Sequence, residues 1–136
     1  MNSQNDKQPD PEHILSANDL YNINSEVTGL MPFVRDHQLL RSAVRRPYLI
    51  LFGEEQFPTL IDKAAATMHS LAAHHLFADG NKRTAVRATQ LFLESNDIQP
   101  TWTTEEVTAF VLNIAKGEVT VEDVAAWLTE HTATNP

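Results

Sequence analysis

Four times between residues 13 and 131 a Ser or Thr is followed three residues later by an acid: Ser16…Asp19, Thr59…Asp62, Thr103…Glu106 and Thr120…Asp123. Each resembles a capping box, in which the hydroxyl and the acid satisfy backbone N–H groups at a helix start. A chain punctuated this way is committed to short helices. The spacing predicts helices over 17–27, 60–75, 104–116 and 121–131, the third of them stopped by Gly117. Asp36 caps a fifth over 37–45, ended by Pro47. Ala85, Ala88, Leu91, Phe92 and Ser95 recur at spacings of three and four and predict a sixth over 81–95. Strand signals are poor. Tyr48–Phe52 is a short apolar run of ambiguous type, and residues 28–35 read as an exposed loop or a small β-hairpin. The expected fold class is all-α: a single-domain bundle of about six helices, with one hairpin at most.

The 136 residues suit one domain. Residues 1–12 are polar, contain Pro9 and Pro11, and read as a disordered tail; 13–131 form the domain, and 132–136 are expected to fray. With no cysteine, a disulfide scaffold, a thiolate zinc site and a cysteine nucleophile are excluded. No apolar run approaches the roughly 20 residues that span a bilayer, and no signal peptide is readable, so the expectation is a cytoplasmic protein without a membrane partner.

A net charge of −8 argues against direct nucleic-acid binding. The charge is uneven, however. From Arg35 to Arg87 there are eight basic and five acidic residues, against two basic and thirteen acidic elsewhere. A basic middle in an acidic chain suggests a local anion site. Arg41, Arg45 and Arg46 read as a solvated helix face within it.

The segment from His75 to Ala85 carries the chemistry. Lys82 and Arg83 fall in the first turn of a helix, where the dipole disfavours cations. A local rule broken without compensation points to a site, and a bound anion is the natural compensation. Gly80 allows a tight turn, and the free N–H groups near Gly80, Asn81 and Lys82 would face that anion. Asp79 reads either as an N-cap or as a ligand for Mg²⁺ held mainly by phosphates. His75 continues the core-facing stripe of Ala64, Met68 and Leu71, so it reads as a core histidine or as a general base; His69 and His74 read as structural. No Walker A spacing and no protein-kinase motif set is present.

The run His75-x-Phe77-x-Asp79-Gly80-Asn81-Lys82-Arg83 resembles the HxFx(D/E)(G/A)N(G/K)R motif of the Fic/Doc family, and Lys82 with Thr84-Ala85 resembles its Doc, or death-on-curing, branch. Flanking segments, among them Phe57-Pro58-Thr59-Leu60 and Gly117 to Leu128, are also similar, so the likeness covers about residues 14–130. The resemblance implies His75 as general base and Asp79 as Mg²⁺ ligand. It implies Gly80, Asn81, Lys82 and Arg83 as ATP phosphate binders, with Phe77 as loop anchor. It implies that 28–35, with Gly29, Leu30 and Arg35, forms a target-docking flap. The implied activity is transfer of the γ-phosphoryl group of ATP to a threonine of elongation factor Tu by a toxin restrained by a Phd-like antitoxin. Adenylylating Fic proteins commonly carry a second Arg three residues after the first; here that position is Val86, with Arg87 rotated about 100° around the helix. The inhibitory helix pattern (S/T)xxxE(G/N) has no complete copy, since Thr101…Glu105 is followed by Glu106. A Fic-type adenylyltransferase and a catalytically silent partner-binding module are the alternatives.

Overall fold

Helix α3 (Leu60–Ala73) is the centre of the molecule, and its sequence explains why. Ala64, Ala65 and Ala66 are fully buried together with Met68. Side chains this small let neighbouring helices approach on several sides. Around it stand α1 (Ala17–Thr28), α2 (His37–Arg45), α4 (Asn81–Ser95), α5 (Thr104–Ala115) and α6 (Val121–Glu130). The computed structural model describes residues 15–134; the tail expected at 1–12 lies outside them. Among the described residues, six α-helices and two small antiparallel strand pairs make up a mostly-α fold with one hydrophobic core. Among the described residues no helix is long and apolar enough to cross a membrane.

All four capping boxes form, with hydroxyl and carboxyl both engaged at Ser16/Asp19, Thr59/Asp62, Thr103/Glu106 and Thr120/Asp123. Asp36 caps α2 through Leu39 N–H. These caps fix the helix starts, so observed and expected starts coincide.

Three expectations need correction. The hairpin lies at β1 (Ile50–Leu51) and β2 (Glu54–Glu55), not at 28–35. Buried Lys63 holds it against α3, pairing with Glu55 at 3.0 Å and donating to the Phe57 carbonyl. Residues 132–134 do not fray: β4 (Thr132–Thr134) pairs with β3 (Ile98–Pro100). The Thr101 N–H also donates to the His131 carbonyl at 2.7 Å, closing that seam. Finally, Arg41 and Arg45 are exposed but Arg46 is not part of a solvated face. It opens a short 3₁₀ turn (Arg46–Tyr48), and its guanidinium reaches α3.

There Arg46 Nη1 donates to Ser70 Oγ at 2.9 Å and to His69 Nδ1 at 3.1 Å. Arginine cannot accept, so Nδ1 is the unprotonated nitrogen and Nε2–H donates to the Val119 carbonyl at 3.2 Å. His69 is thereby neutral and fastens α2 and the α5–α6 connection to α3. Burial, followed by the Arg46 charge, holds its pKa below the ordinary 6.5. Between the lowered folded value and 6.5 the unfolded chain binds more protons, so stability rises with pH across that window. His69 contributes fully above pH 6.5, and its contribution is lost as pH falls below it. Urea midpoints measured from pH 7.5 to 5.0 should fall for the wild type over that window, and the His69→Gln profile should be flatter.

Candidate functional site

Helix α3 stops at Ala73, two residues short of the expected end, and His74 is already extended. The core stripe passes instead to Leu76 and Phe77, which are 1% exposed each. His75 is therefore not a core histidine. It is exposed, beyond the end of the helix, and its ring makes no hydrogen bond among the described residues. Burying a Phe side chain contributes about 1.5–3 kcal/mol, and Phe77 ties the middle of the loop down with that energy.

The backbone around Phe77 is held on both edges. Asn81 Oδ1 accepts from the Phe77 N–H at 3.0 Å, and Asn81 Nδ2 donates to the Phe77 carbonyl at 2.8 Å. Both polar atoms of the Asn81 amide are thus engaged. The Asn81 side chain thereby positions the loop, while its second Nδ2–H and its backbone N–H remain for an anion. On the other edge, Arg35 N–H donates to the Leu76 carbonyl at 2.7 Å and Ala78 N–H to the Phe33 carbonyl at 2.9 Å. Residues 33–35 therefore run antiparallel to 76–78 through the single bridge Val34–Phe77. The segment from Gly29 is not a hairpin, but it is tied to the motif loop. Gly29 ends α1 in the left-handed region. Leu30, Met31 and Phe33 present large apolar side chains to solvent, Met31 at 85% exposure, and Arg35 is exposed beside them.

Gly80 makes the turn into α4, with φ 75° and ψ 19°. A Cβ there would come within 2.5 Å of Thr28 Cγ2, so both conformation and space require glycine. α1 reaches this turn through Asn24, a buried residue the sequence reading did not single out. Its Nδ2 donates to the Asp79 carbonyl at 2.8 Å and to Thr84 Oγ1 at 3.1 Å. Its signal was present: an amide on the apolar face formed by Leu20, Ile23 and Val27 needs a buried partner.

The first turn of α4 is unlike the others. Five helices have a side-chain cap; α4 has none among the described residues. Asp79 is not its N-cap, because Asp79 Oδ1 accepts from Gly80 N–H at 2.8 Å. The first ladder bond is Thr84 N–H to the Gly80 carbonyl. The N–H groups of Asn81, Lys82 and Arg83 are left for another acceptor.

Lys82 is exposed and forms no ion pair among the described residues. Arg83 donates to the Val27 carbonyl at 2.6 Å and lies 4.0 Å from the exposed Asp79 carboxylate. Arg87 is turned away, pairing with Glu26 at 3.3 Å. From Lys82 and Arg83 an open groove of about 670 Å³ runs between α4 and α5, floored by Val86, Val107 and Val111.

Among the described residues no group of three or more His, Asp or Glu could hold a metal alone. One exposed carboxylate beside unpartnered amides and cations does suit Mg²⁺ carried by a polyphosphate, which takes one or two carboxylates and keeps phosphate oxygens as its other ligands. Asp79 is that carboxylate.

Replacing Asn24 with Ala removes the donor to Asp79 and Thr84 from a buried seam. The expected cost is about 1–3 kcal/mol, read as a lower urea midpoint with an unchanged m-value. Faster amide exchange at Asn81 to Thr84 should accompany it.

Comparison with known proteins agrees with this geometry. The protein-family model described as the Fic/DOC family matches residues 10–93. A protein of Mycolicibacterium smegmatis named "Toxin Doc" is 50% identical over 66 residues, which are 48% of this chain and 51% of that protein. The chain thus matches about half the length of that relative. "Protein kinase doc" of Escherichia phage P1 is 29% identical over 115 residues, 85% of this chain and 87% of the phage protein. With the His75–Arg83 motif on an uncapped helix start and most of the chain matched, this protein belongs to the Fic/Doc family.

Proposed function

We propose that the chain is the toxin of a toxin–antitoxin pair and transfers the γ-phosphoryl group of ATP to a threonine hydroxyl of a protein target, foremost elongation factor Tu. The observation that carries this reading is the first turn of α4: three backbone N–H groups without acceptors, with Lys82 and Arg83 beside them. A triphosphate supplies the negative charge that such a helix end lacks. The names of the two relatives, a toxin and a protein kinase, support the same activity.

In this mechanism His75 takes the proton of the threonine hydroxyl as its oxygen attacks the γ-phosphorus and the bond to the β-phosphate oxygen breaks. An exposed imidazole with no hydrogen-bond partner among the described residues is available for that task. Lys82, Arg83 and the amides of 81–83 stabilise charge on the phosphoryl oxygens, and most of the rate comes from this positioning. Asp79 would hold Mg²⁺, which neutralises phosphate charge when bound. Asn81 and Phe77 fix the loop, and Gly80 lets the backbone approach. The exposed 29–35 segment, with Leu30 and Arg35, docks the target backbone.

Adenylyl transfer on the same site is disfavoured by a particular contact. The position three after Arg83 is Val86, and Arg87 is engaged with Glu26. A Phd-like antitoxin would restrain the enzyme by laying an amphipathic helix in the α4–α5 groove, whose floor is apolar and whose rim is charged. Action on elongation factor Tu places the protein in the bacterial cytoplasm.

The test is incubation of the chain with ATP, Mg²⁺ and elongation factor Tu, read by intact-mass spectrometry. A phosphate adduct on a threonine is expected, and His75→Ala should lower its rate by about 10²–10⁴-fold. An adenylate adduct would replace the kinase reading with adenylyl transfer. An unmodified target and no ATP binding would leave a silent binding module.

A further inference from the structure

A second cleft, of about 450 Å³, opens between α2 and α3 on residues the phosphotransfer reading does not use. Ser42, Arg45, Arg46, His69, Ser70 and His74 supply its polar lining, and no acid takes part. Two arginines and two histidines converge there in a protein whose net charge is −8. Arg46 is the best placed of them. Its Nη1 is held by Ser70 and His69 from behind, and its plane lies over the Phe57 ring at 5.6 Å. No carboxylate lies within ion-pair distance of it among the described residues.

Burial depresses the pKa of Arg46, and Glu122, whose field opposes this, forms no ion pair with it. The guanidinium is therefore orientated and partly desolvated, while its Nε and Nη2 donors have no protein partner among the described residues. That edge is the one that grips a carboxylate or phosphate with two parallel hydrogen bonds. The walls decide between these occupants. Leu39, Ala43 and Leu49 line the same cleft, with Leu39 and Leu49 partly open to solvent. Apolar walls suit the methylene stem of an acidic side chain better than a bare, hydrated ion.

We infer that this cleft is a second anion site, in which Arg46 and Arg45 receive the carboxylate of an acidic side chain on a polypeptide ligand. It is separate from the start of α4 and does not depend on what α4 binds. Its place fits an anchoring role. His74, the residue before His75, lines it. A peptide held there would lie beside the end of α3 that leads into the motif loop.

The test is an NMR titration of the full chain at constant ionic strength, following the arginine Nε–H and imidazole signals. N-acetyl-leucyl-glutamate amide is the probe, its glutamine counterpart the control, and inorganic phosphate a separate arm. Saturable shifts at Arg46, His69 and His74 are expected with the glutamate compound. Affinity should fall about tenfold with glutamine and about tenfold in Arg46→Lys, which keeps the charge but loses the fork. Arg45→Gln, at an exposed position that does not threaten folding, should weaken binding several-fold, and Lys82→Ala should leave it unchanged. Absent or unsaturable shifts, equal affinity for glutamine, or insensitivity to both arginine variants would overturn the proposal. Tighter binding of inorganic phosphate at the same signals would overturn the polypeptide as occupant.

Discussion

The amide of Asn24 crosses from α1 to hold the Asp79 carbonyl and the Thr84 hydroxyl at the same time. Those two groups bracket Gly80, so one buried side chain fixes both ends of the turn that opens α4. The turn is also pressed against Thr28, which leaves no room for a β-carbon. Asn81 then closes on Phe77, and Phe77 is locked in the core. Each contact constrains the next. Together they expose the α4 start without a cap of its own, at an orientation set by α1 and the core rather than by a ligand. Preorganised donors of this kind need no rearrangement when charge arrives.

The electrostatics follow from the same construction. Cations in the first turn of a helix oppose its dipole. Arg83 relieves part of this by donating to the Val27 carbonyl at the end of α1, where the dipole is negative. Lys82 has no such relief, so the strain is concentrated on the residue best placed to meet an anion. Arg87 pairs with Glu26 and helps stitch α4 to α1. Arg46 shows the same principle elsewhere: a guanidinium anchored by neutral groups, with no ion-paired carboxylate among the described residues.

The helices were legible in the sequence because their starts are written in local chemistry. Ser16, Asp36, Thr59, Thr103 and Thr120 each cap within three residues, and that interaction does not depend on the tertiary fold. The motif loop was legible from Lys82, Arg83 and Gly80 for the same reason. What lay hidden was non-local. The tie between Val34 and Phe77 joins residues 43 apart, and the β3–β4 pair brings Thr134 to Ile98. Neither leaves a pattern in its own segment. His75 was misplaced on the core stripe because helical spacing does not reveal that the helix ends at Ala73. The two hydrogen bonds from Asn81 to Phe77 were hidden as well, because a motif position does not say which atoms it engages.

We propose that the start of α4 is a preformed seat for a triphosphate. Backbone amide shifts during titration with ATP and Mg²⁺ address it directly. The amides of Asn81, Lys82 and Arg83 should move together and saturate, while the core amides of α3 stay still. Saturable shifts elsewhere on the molecule with these three unmoved, or no shifts at all, would contradict it.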